Sequence, residues 1–154
     1  ANIPAGTVSV LDLGAGTKLR DIMVGGKPEG IALSVDGKTL WVGDNDGARV
    51  VAFDTTSFER LAELATGAMP IRVAASPDGR WIVTSNAGAG TLTVIDAKTR
   101  RVARTISVSG TAEATQVTIL FSADGRRLYA AETGRNQIAE LFRYAADGFR
   151  GIGV

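Results

Sequence analysis

Short hydrophobic segments, separated by turn-forming residues, run through the whole chain. The segment 91–96, "TLTVID", places Leu92 and Val94 on one face of a strand and Thr93 and Ile95 on the other. Because both faces carry apolar residues, we expect each strand to lie in a sheet sandwiched between neighbouring sheets. No segment sustains a 3.6-residue hydrophobic period, so the pattern predicts an all-β protein.

These segments recur with a near-constant period. Asp-Gly dipeptides begin at Asp36, Asp78 and Asp124, at intervals of 42 and 46 residues. The 42-residue interval also separates the aspartates that close "VSVLD", "VVAFD" and "LTVID", and the prolines of "GGKPEG" and "GAMPIR". Each period holds four short strands, the size of one propeller blade. Since one small sheet buries too little surface to stand alone, we expect such blades to stack around a common axis.

The repeated Ser-x-Asp-Gly phrase is interpreted as the turn between the first and second strand of each blade. Its glycine supplies a positive φ, and its aspartate accepts a hydrogen bond from a nearby backbone N–H. Asp12, Asp54 and Asp96 are predicted to cap the turn between the third and fourth strands. Carboxylates in equivalent positions of successive blades lie far apart, so they are not interpreted as a catalytic pair.

The repeats resemble a known family. "KPEGIALSVDGKTLWVGDNDGARVVAFDTTS" and "MPIRVAASPDGRWIVTSNAGAGTLTVIDAKT" are similar to the YVTN-type β-propeller repeat, with the signature strand at 40–42, 82–84 and 128–130. The third repeat departs from the pattern, because "GTAEATQ" replaces the proline and its last strands lack the closing aspartate. Members include bacterial surface-layer and periplasmic proteins, and distant relatives include lactonases. The resemblance therefore implies a propeller fold and a periplasmic or secreted location.

The repeat predicts four units along the chain. Residues 1–24 are expected to form a half-blade, followed by complete blades at 25–66, 67–108 and 109–154. A closed propeller has roughly four to eight blades, so we predict a partial propeller, about half of a seven- or eight-bladed ring. Either a longer chain supplies the missing remainder, or copies self-associate into one ring. Open sheet edges and apolar faces favour association in both cases.

Composition narrows the function further. The sequence contains no histidine and no cysteine, which removes the commonest general base, the commonest transition-metal ligand and any thiolate. The net charge of +1 argues against a nucleic-acid partner, and no 18-residue apolar window predicts a membrane span. We predict no catalytic residues, no metal and no cofactor. "DNDG" at 44–47 is interpreted as a tight turn with solvated carboxylates, because it lacks the distal glutamate of a calcium loop.

Function is expected on the loops that join the second strand to the third and the fourth strand to the next blade, since these lie on one face. The candidate ligand-binding residues there are Lys27, Glu29, Asp44, Asn45, Met69, Arg72, Asn86, Glu113, Gln116, Arg135 and Asn136. The leading hypothesis is a non-catalytic scaffold that binds a protein or a small molecule. The alternative is part of a propeller enzyme, a lactonase-like hydrolase, or an accessory propeller of a redox system. The long "SGTAEATQ" loop is either a binding element or a tolerated insertion.

Two further features have structural and functional interpretations. Trp41 and Trp81 both fall in a second strand, where they predict packing between blades or, alternatively, a platform for stacking a ligand. The basic cluster "KTRRVAR" at 98–104 is interpreted as a turn and an exposed edge strand, with phosphate binding as the alternative.

Overall fold

The structure is a computed structural model that describes residues 1–108, 116–144 and 148–151. Apart from short 3₁₀ turns such as Ile3–Ala5 and Thr133–Arg135, its regular elements in these ranges are strands. The strands are β1 (Thr7–Asp12), β2 (Thr17–Met23), β3 (Pro28–Leu33), β4 (Thr39–Asp44), β5 (Arg49–Asp54), β6 (Arg60–Ala65), β7 (Pro70–Ala75), β8 (Trp81–Asn86), β9 (Thr91–Asp96), β10 (Arg101–Ser107), β11 (Gln116–Phe121), β12 (Arg127–Glu132), β13 (Gln137–Tyr144) and β14 (Gly148–Gly151).

The strands pair antiparallel with their neighbours in sequence. β1 and β2 form the first sheet, which has two strands. The second sheet (β3–β6), the third (β7–β10) and the fourth (β11–β14) each have four strands. The first strands of the four-stranded sheets lie side by side, β3 against β7 and β7 against β11. The prediction of four-stranded antiparallel blades packed next to one another is therefore confirmed.

The hydrophobic core lies between the sheets. Trp41 and Val50 pack with Ile82 and Ile95 between the second and third sheets, and Trp81 packs between the third and fourth. Within β9, Leu92 and Val94 belong to one cluster and Ile95 belongs to the other, as the sequence pattern predicts. Packing between blades is confirmed for both tryptophans, and burying a large apolar side chain stabilises the fold by about 1.5–3 kcal/mol.

Each Ser-x-Asp-Gly phrase forms a hydrogen-bonded turn. Ser34 Oγ donates to Asp36 Oδ1 at 2.6 Å and accepts from the Thr39 amide at 2.9 Å, while Asp36 Oδ1 also accepts from the Lys38 amide at 3.0 Å. Gly37 has a φ of +71°. The same bonds recur in the next two repeats. The turn interpretation is confirmed.

The second set of aspartates also closes turns. Asp54 Oδ1 accepts from the backbone N–H groups of Thr56 and Ser57, both at 2.8 Å. Asp12 and Asp96 accept equivalent bonds in their own repeats. Their carboxylates therefore serve as caps, as predicted.

The connections between strands fall on two opposite faces, because successive strands run antiparallel. We call one the turn face; its described connections are 13–16, 34–38, 55–59, 76–80, 97–100 and 122–126. We call the other the loop face; its described connections are 24–27, 45–48, 66–69, 87–90 and 133–136.

The second and third sheets approach each other very closely near the loop face. A Cβ on Gly43 would lie 2.3 Å from the Pro70 carbonyl oxygen, and a Cβ on Gly30 would lie 2.8 Å from Arg72 Cα. Only glycine allows these contacts. They bring the loop-face ends of β3, β4 and β7 together.

Candidate functional site

Glu29 is the centre of a polar cluster at these strand ends. Its Oε1 accepts a hydrogen bond from Arg72 Nη1 at 2.7 Å, and its Oε2 accepts one from Asn45 Nδ2 at 2.9 Å. Arg72 belongs to β7 and Glu29 to β3, so the cluster joins two neighbouring blades. The side chains of Glu29 and Arg72 are 27% and 42% exposed, which leaves both accessible to a ligand.

Lys27 extends this cluster towards solvent. Its Nζ lies 3.2 Å from Asp46 Oδ1, and its carbonyl oxygen accepts from the Asn45 amide at 3.0 Å. Both charged groups of the Lys27–Asp46 pair are more than half exposed. Such a pair contributes only about 0–1 kcal/mol to stability, so a ligand can separate it at little cost.

Asp44 is placed differently from its prediction as a solvated carboxylate. It is fully buried, and its carboxylate accepts from the amides of Lys27 at 2.9 Å and Gly47 at 3.2 Å and from Arg49 Nε at 2.9 Å. Charge-assisted bonds of this kind compensate for the desolvation of a buried carboxylate. Asp44 therefore holds the loop that positions Lys27 and Asn45. Asp46, in the same "DNDG" turn, is the solvated carboxylate.

Asn86 takes the position of Asp44 one repeat later and is also fully buried. Its Nδ2 donates to Thr91 Oγ1 at 3.0 Å and to Thr93 Oγ1 at 2.8 Å. Asn2, two 42-residue periods before Asn86, makes the same pair of bonds to hydroxyls of β1. Asn86 thus ties the end of β8 to β9, and Asn2 ties the residues before β1 to β1.

Glu132 occupies the corresponding place at the end of β12. The sequence assigns it to the loop after the second strand, but it is not among the predicted ligand-binding residues. It is fully buried and accepts a hydrogen bond from Gln137 Nε2. The signal that could have found this class of residue is its spacing, because Asn2, Asp44 and Asn86 already follow the 42-residue period.

The remaining candidates lie apart from the Glu29 cluster in the described contacts. Met69 is 48% exposed on the β6–β7 connection, where its carbonyl oxygen accepts the Ala87 amide at 2.9 Å. Arg135 and Asn136 are exposed on the β12–β13 connection, two blades away. Gln116 begins β11, and Glu113 lies outside the described residues.

The described ranges contain neither a grouped set of metal ligands nor a helix that could span a membrane. Within 1–108, 116–144 and 148–151, no three acidic, histidine or cysteine side chains are grouped so that they could hold a metal ion. The same ranges contain no helix of the length and apolarity needed to cross a membrane.

Several solved structures share this architecture. Hydrazine synthase from Kuenenia stuttgartiensis matches 99% of the chain with a TM-score of 0.84 and 23% identity. A putative 6-phosphogluconolactonase from Bacteroides uniformis matches 99% with a TM-score of 0.83 and 20% identity. The fold is a partial β-propeller. A third similar structure, dihydro-heme d1 dehydrogenase NirN in complex with DHE, has a TM-score of 0.79 and 20% identity over 96% of the chain.

The chain spans about half the length of the first two of these structures, 45% and 52%, and 32% of the third. It matches no protein-family profile and no curated protein. At identities of 20–23% the similarity establishes the fold. It does not establish the activity of the whole protein.

Proposed function

We propose that the chain is part of a non-catalytic propeller scaffold that binds a polar ligand or a protein segment on its loop face. The single observation that carries this proposal is the Glu29–Arg72–Asn45 cluster. It joins two blades at the ends of their first strands, Glu29 in β3 and Arg72 in β7, and adds Asn45 from the β4–β5 connection. Side chains held on a rigid scaffold in this way are the usual home of binding groups.

The chemistry of the cluster indicates a charged or zwitterionic ligand. A carboxylate of the ligand can replace Glu29 at the Arg72 guanidinium, and an ammonium group can pair with Glu29 or Asp46. Asn45 Oδ1 is a buried acceptor without a hydrogen-bond donor among the described residues, so a ligand N–H or O–H can satisfy it.

Chemical-shift mapping tests this proposal with three defined probes: citrate, spermidine and the dipeptide glycyl-glutamate. We expect at least one probe to shift the amide signals of Lys27, Glu29, Asn45 and Arg72 more than those of the turn face. The Arg72→Gln variant, which removes the guanidinium, should lose most of the response.

Lys18 provides the matched control for that variant. It forms an exposed pair with Asp21 on β2 at 2.8 Å, outside the cluster, so Lys18→Gln removes one charge without touching the site. The response of Lys18→Gln should equal that of the wild type. Shifts spread evenly over both faces, or unchanged in Arg72→Gln, would contradict the proposal.

The second candidate is that the chain forms part of a lactonase-like hydrolase. It is favoured by the similarity to the putative 6-phosphogluconolactonase from Bacteroides uniformis, of which the chain covers 52%. Hydrolysis of 6-phosphogluconolactone above the spontaneous rate, lost in Arg72→Gln, would support this enzyme and replace the scaffold proposal. The NirN structure supports the further alternative of an accessory propeller of a redox system.

The partner and the location also belong to the proposal. We propose that the propeller ring is completed by further blades, either from the remainder of a longer chain or from a second copy. Export to the periplasm or the medium is proposed from the YVTN resemblance. Cell fractionation of the native host tests the location, and recovery only in the cytoplasmic fraction would contradict it.

A further inference from the structure

A cleft of about 530 Å³ opens between the second and third sheets on the turn face, opposite the Glu29 cluster. Its walls include the Ser34–Asp36 turn, Asp78 of the next Ser-x-Asp-Gly turn, and Trp41. The β9–β10 turn adds Lys98 and Arg100. Its size falls within the range of small-molecule sites, roughly 300–1,000 Å³.

Two buried N–H donors at this cleft have no acceptor among the described residues. They are Trp41 Nε1, on a fully buried indole, and Arg100 Nε, on a half-buried side chain. Buried polar groups in native proteins are nearly always hydrogen-bonded. The cleft is therefore lined by two residues that each carry such a donor, and Lys98 adds a third cationic or N–H-bearing side chain to its wall. Together they point to an acceptor that carries negative charge.

The acidic residues of the cleft limit what this acceptor can be. Asp36 is held in its own turn by the Ser34 hydroxyl and the Lys38 amide, and Asp78 is held in the same way by Ser76 and the Arg80 amide. Their charges remain at the cleft and balance Lys98 and Arg100. This balance disfavours a polyanion and favours a small molecule with a single anionic group.

We propose that this cleft binds a small molecule that carries a carboxylate or phosphate group. The oxygens of that group accept from Trp41 Nε1 and Arg100 Nε, and Lys98 adds charge. Lys98 and Arg100 belong to the basic cluster that the sequence interprets as a turn and an edge strand. Two charged residues of that basic cluster therefore line the proposed site.

Tryptophan fluorescence offers a direct test. The chain has two tryptophans, so Trp81→Phe leaves Trp41 as the only indole. Inorganic phosphate and acetate, each with one anionic group, are titrated separately into this variant at constant ionic strength. We expect a saturable change with one site per chain for at least one of the two anions, and the anion that binds identifies which group the ligand carries.

Substitutions at the cleft complete the experiment. By calorimetry, Arg100→Gln and Lys98→Gln should weaken binding on the order of tenfold, because each removes a charge at the anion. Both leave the core between the sheets intact, so they remain informative if Trp41→Phe does not fold. Where Trp41→Phe folds, loss of its N–H should weaken binding by about the same factor.

Arg126→Gln is the matched control, since Arg126 is an exposed arginine on the turn face of the next blade. Its affinity for the anion should equal that of the wild type. The proposal is overturned if neither anion gives a saturable change, or if Arg100→Gln binds as tightly as Arg126→Gln.

Discussion

At the scale of single residues, the aspartates of the first and third Ser-x-Asp-Gly turns couple the fold to pH. The pKa of Asp36 lies below its ordinary value of 3.8, chiefly because the Ser34 hydroxyl donates to the carboxylate, with a smaller contribution from the Lys38 amide. The pKa of Asp124 is lowered in the same way, first by Ser122 and then by the Arg126 amide. A carboxyl group whose pKa is lower in the folded than in the unfolded state stabilises the fold at pH values above its pKa in the unfolded state. That stabilisation is lost as the pH falls through the folded pKa.

We therefore expect Asp36→Asn to flatten the acid limb of the stability curve. The free energy of unfolding of the wild type should fall more steeply below about pH 4 than that of the variant, because the variant has no carboxylate to protonate there. Denaturant unfolding at a series of pH values measures the difference. Ser34→Ala, which removes the main donor, should reduce the slope in the same direction. Parallel curves for wild type and both variants would contradict this role.

At the scale of elements, the glycines between the second and third sheets control how β4 meets β7. Gly43→Ala places a Cβ 2.3 Å from the Pro70 carbonyl oxygen, so the two strands must separate. Overpacking of this kind costs about 1–3 kcal/mol, and we expect the free energy of unfolding to fall by that amount in a denaturant titration. The shift should also disturb the Glu29–Arg72 pair, which depends on the same approach.

Gly14→Ala is the control for this effect. Its Cβ would meet only the Asp12 carboxylate, at 3.3 Å, on an exposed turn, and no backbone of another sheet. A change within about 0.5 kcal/mol is expected there. Equal losses in Gly14→Ala and Gly43→Ala would show that the close approach of the strands is not what makes Gly43 necessary.

The sequence predicts the elements well because their causes are local. A Ser-x-Asp-Gly turn closes within six residues, from Ser34 to Thr39, and the 42-residue period identifies equivalent strands without any structure. The contact between Glu29 and Arg72 joins residues 43 apart on different blades. Sequence reasoning places both on the loop face, but their pairing depends on how closely β3 and β7 pack.

For Asp44 the prediction from the sequence is wrong. Its sequence context, "DNDG", is typical of an exposed turn and predicts a solvated carboxylate. Arg49 and two loop amides converge on it only after β4 and β5 have paired. Burial of a charge is decided by the partners that the fold assembles, and the local pattern does not contain them.

At the scale of the whole molecule, the outer side of β3 exposes an apolar face. Ile31 is 47% exposed and Leu33 is 55% exposed. The residues equivalent to Ile31 in the next two blades, Val73 and Ile119, are only 9% and 8% exposed. The difference arises because β3 faces the two-stranded β1–β2 sheet, while β7 and β11 face complete four-stranded sheets. An apolar groove of about 410 Å³ lies at this junction. We infer that two more strands, paired along β1, would cover Ile31 and Leu33.

The double substitution Ile31→Ser and Leu33→Ser tests this inference. If the exposed face drives association, the variant should show a lower mass than the wild type by sedimentation at equal concentration. Because both side chains are largely exposed, its free energy of unfolding should change by no more than about 1 kcal/mol.

Val73→Ser is the matched control, since it changes the equivalent position in a blade that is already covered. There the substitution leaves a cavity and buries a hydroxyl, so we expect a loss of about 2 kcal/mol or more in the free energy of unfolding. An unchanged mass in the double variant, or a loss of stability as large as that of Val73→Ser, would show that Ile31 and Leu33 belong to the core of the isolated chain and not to an interface.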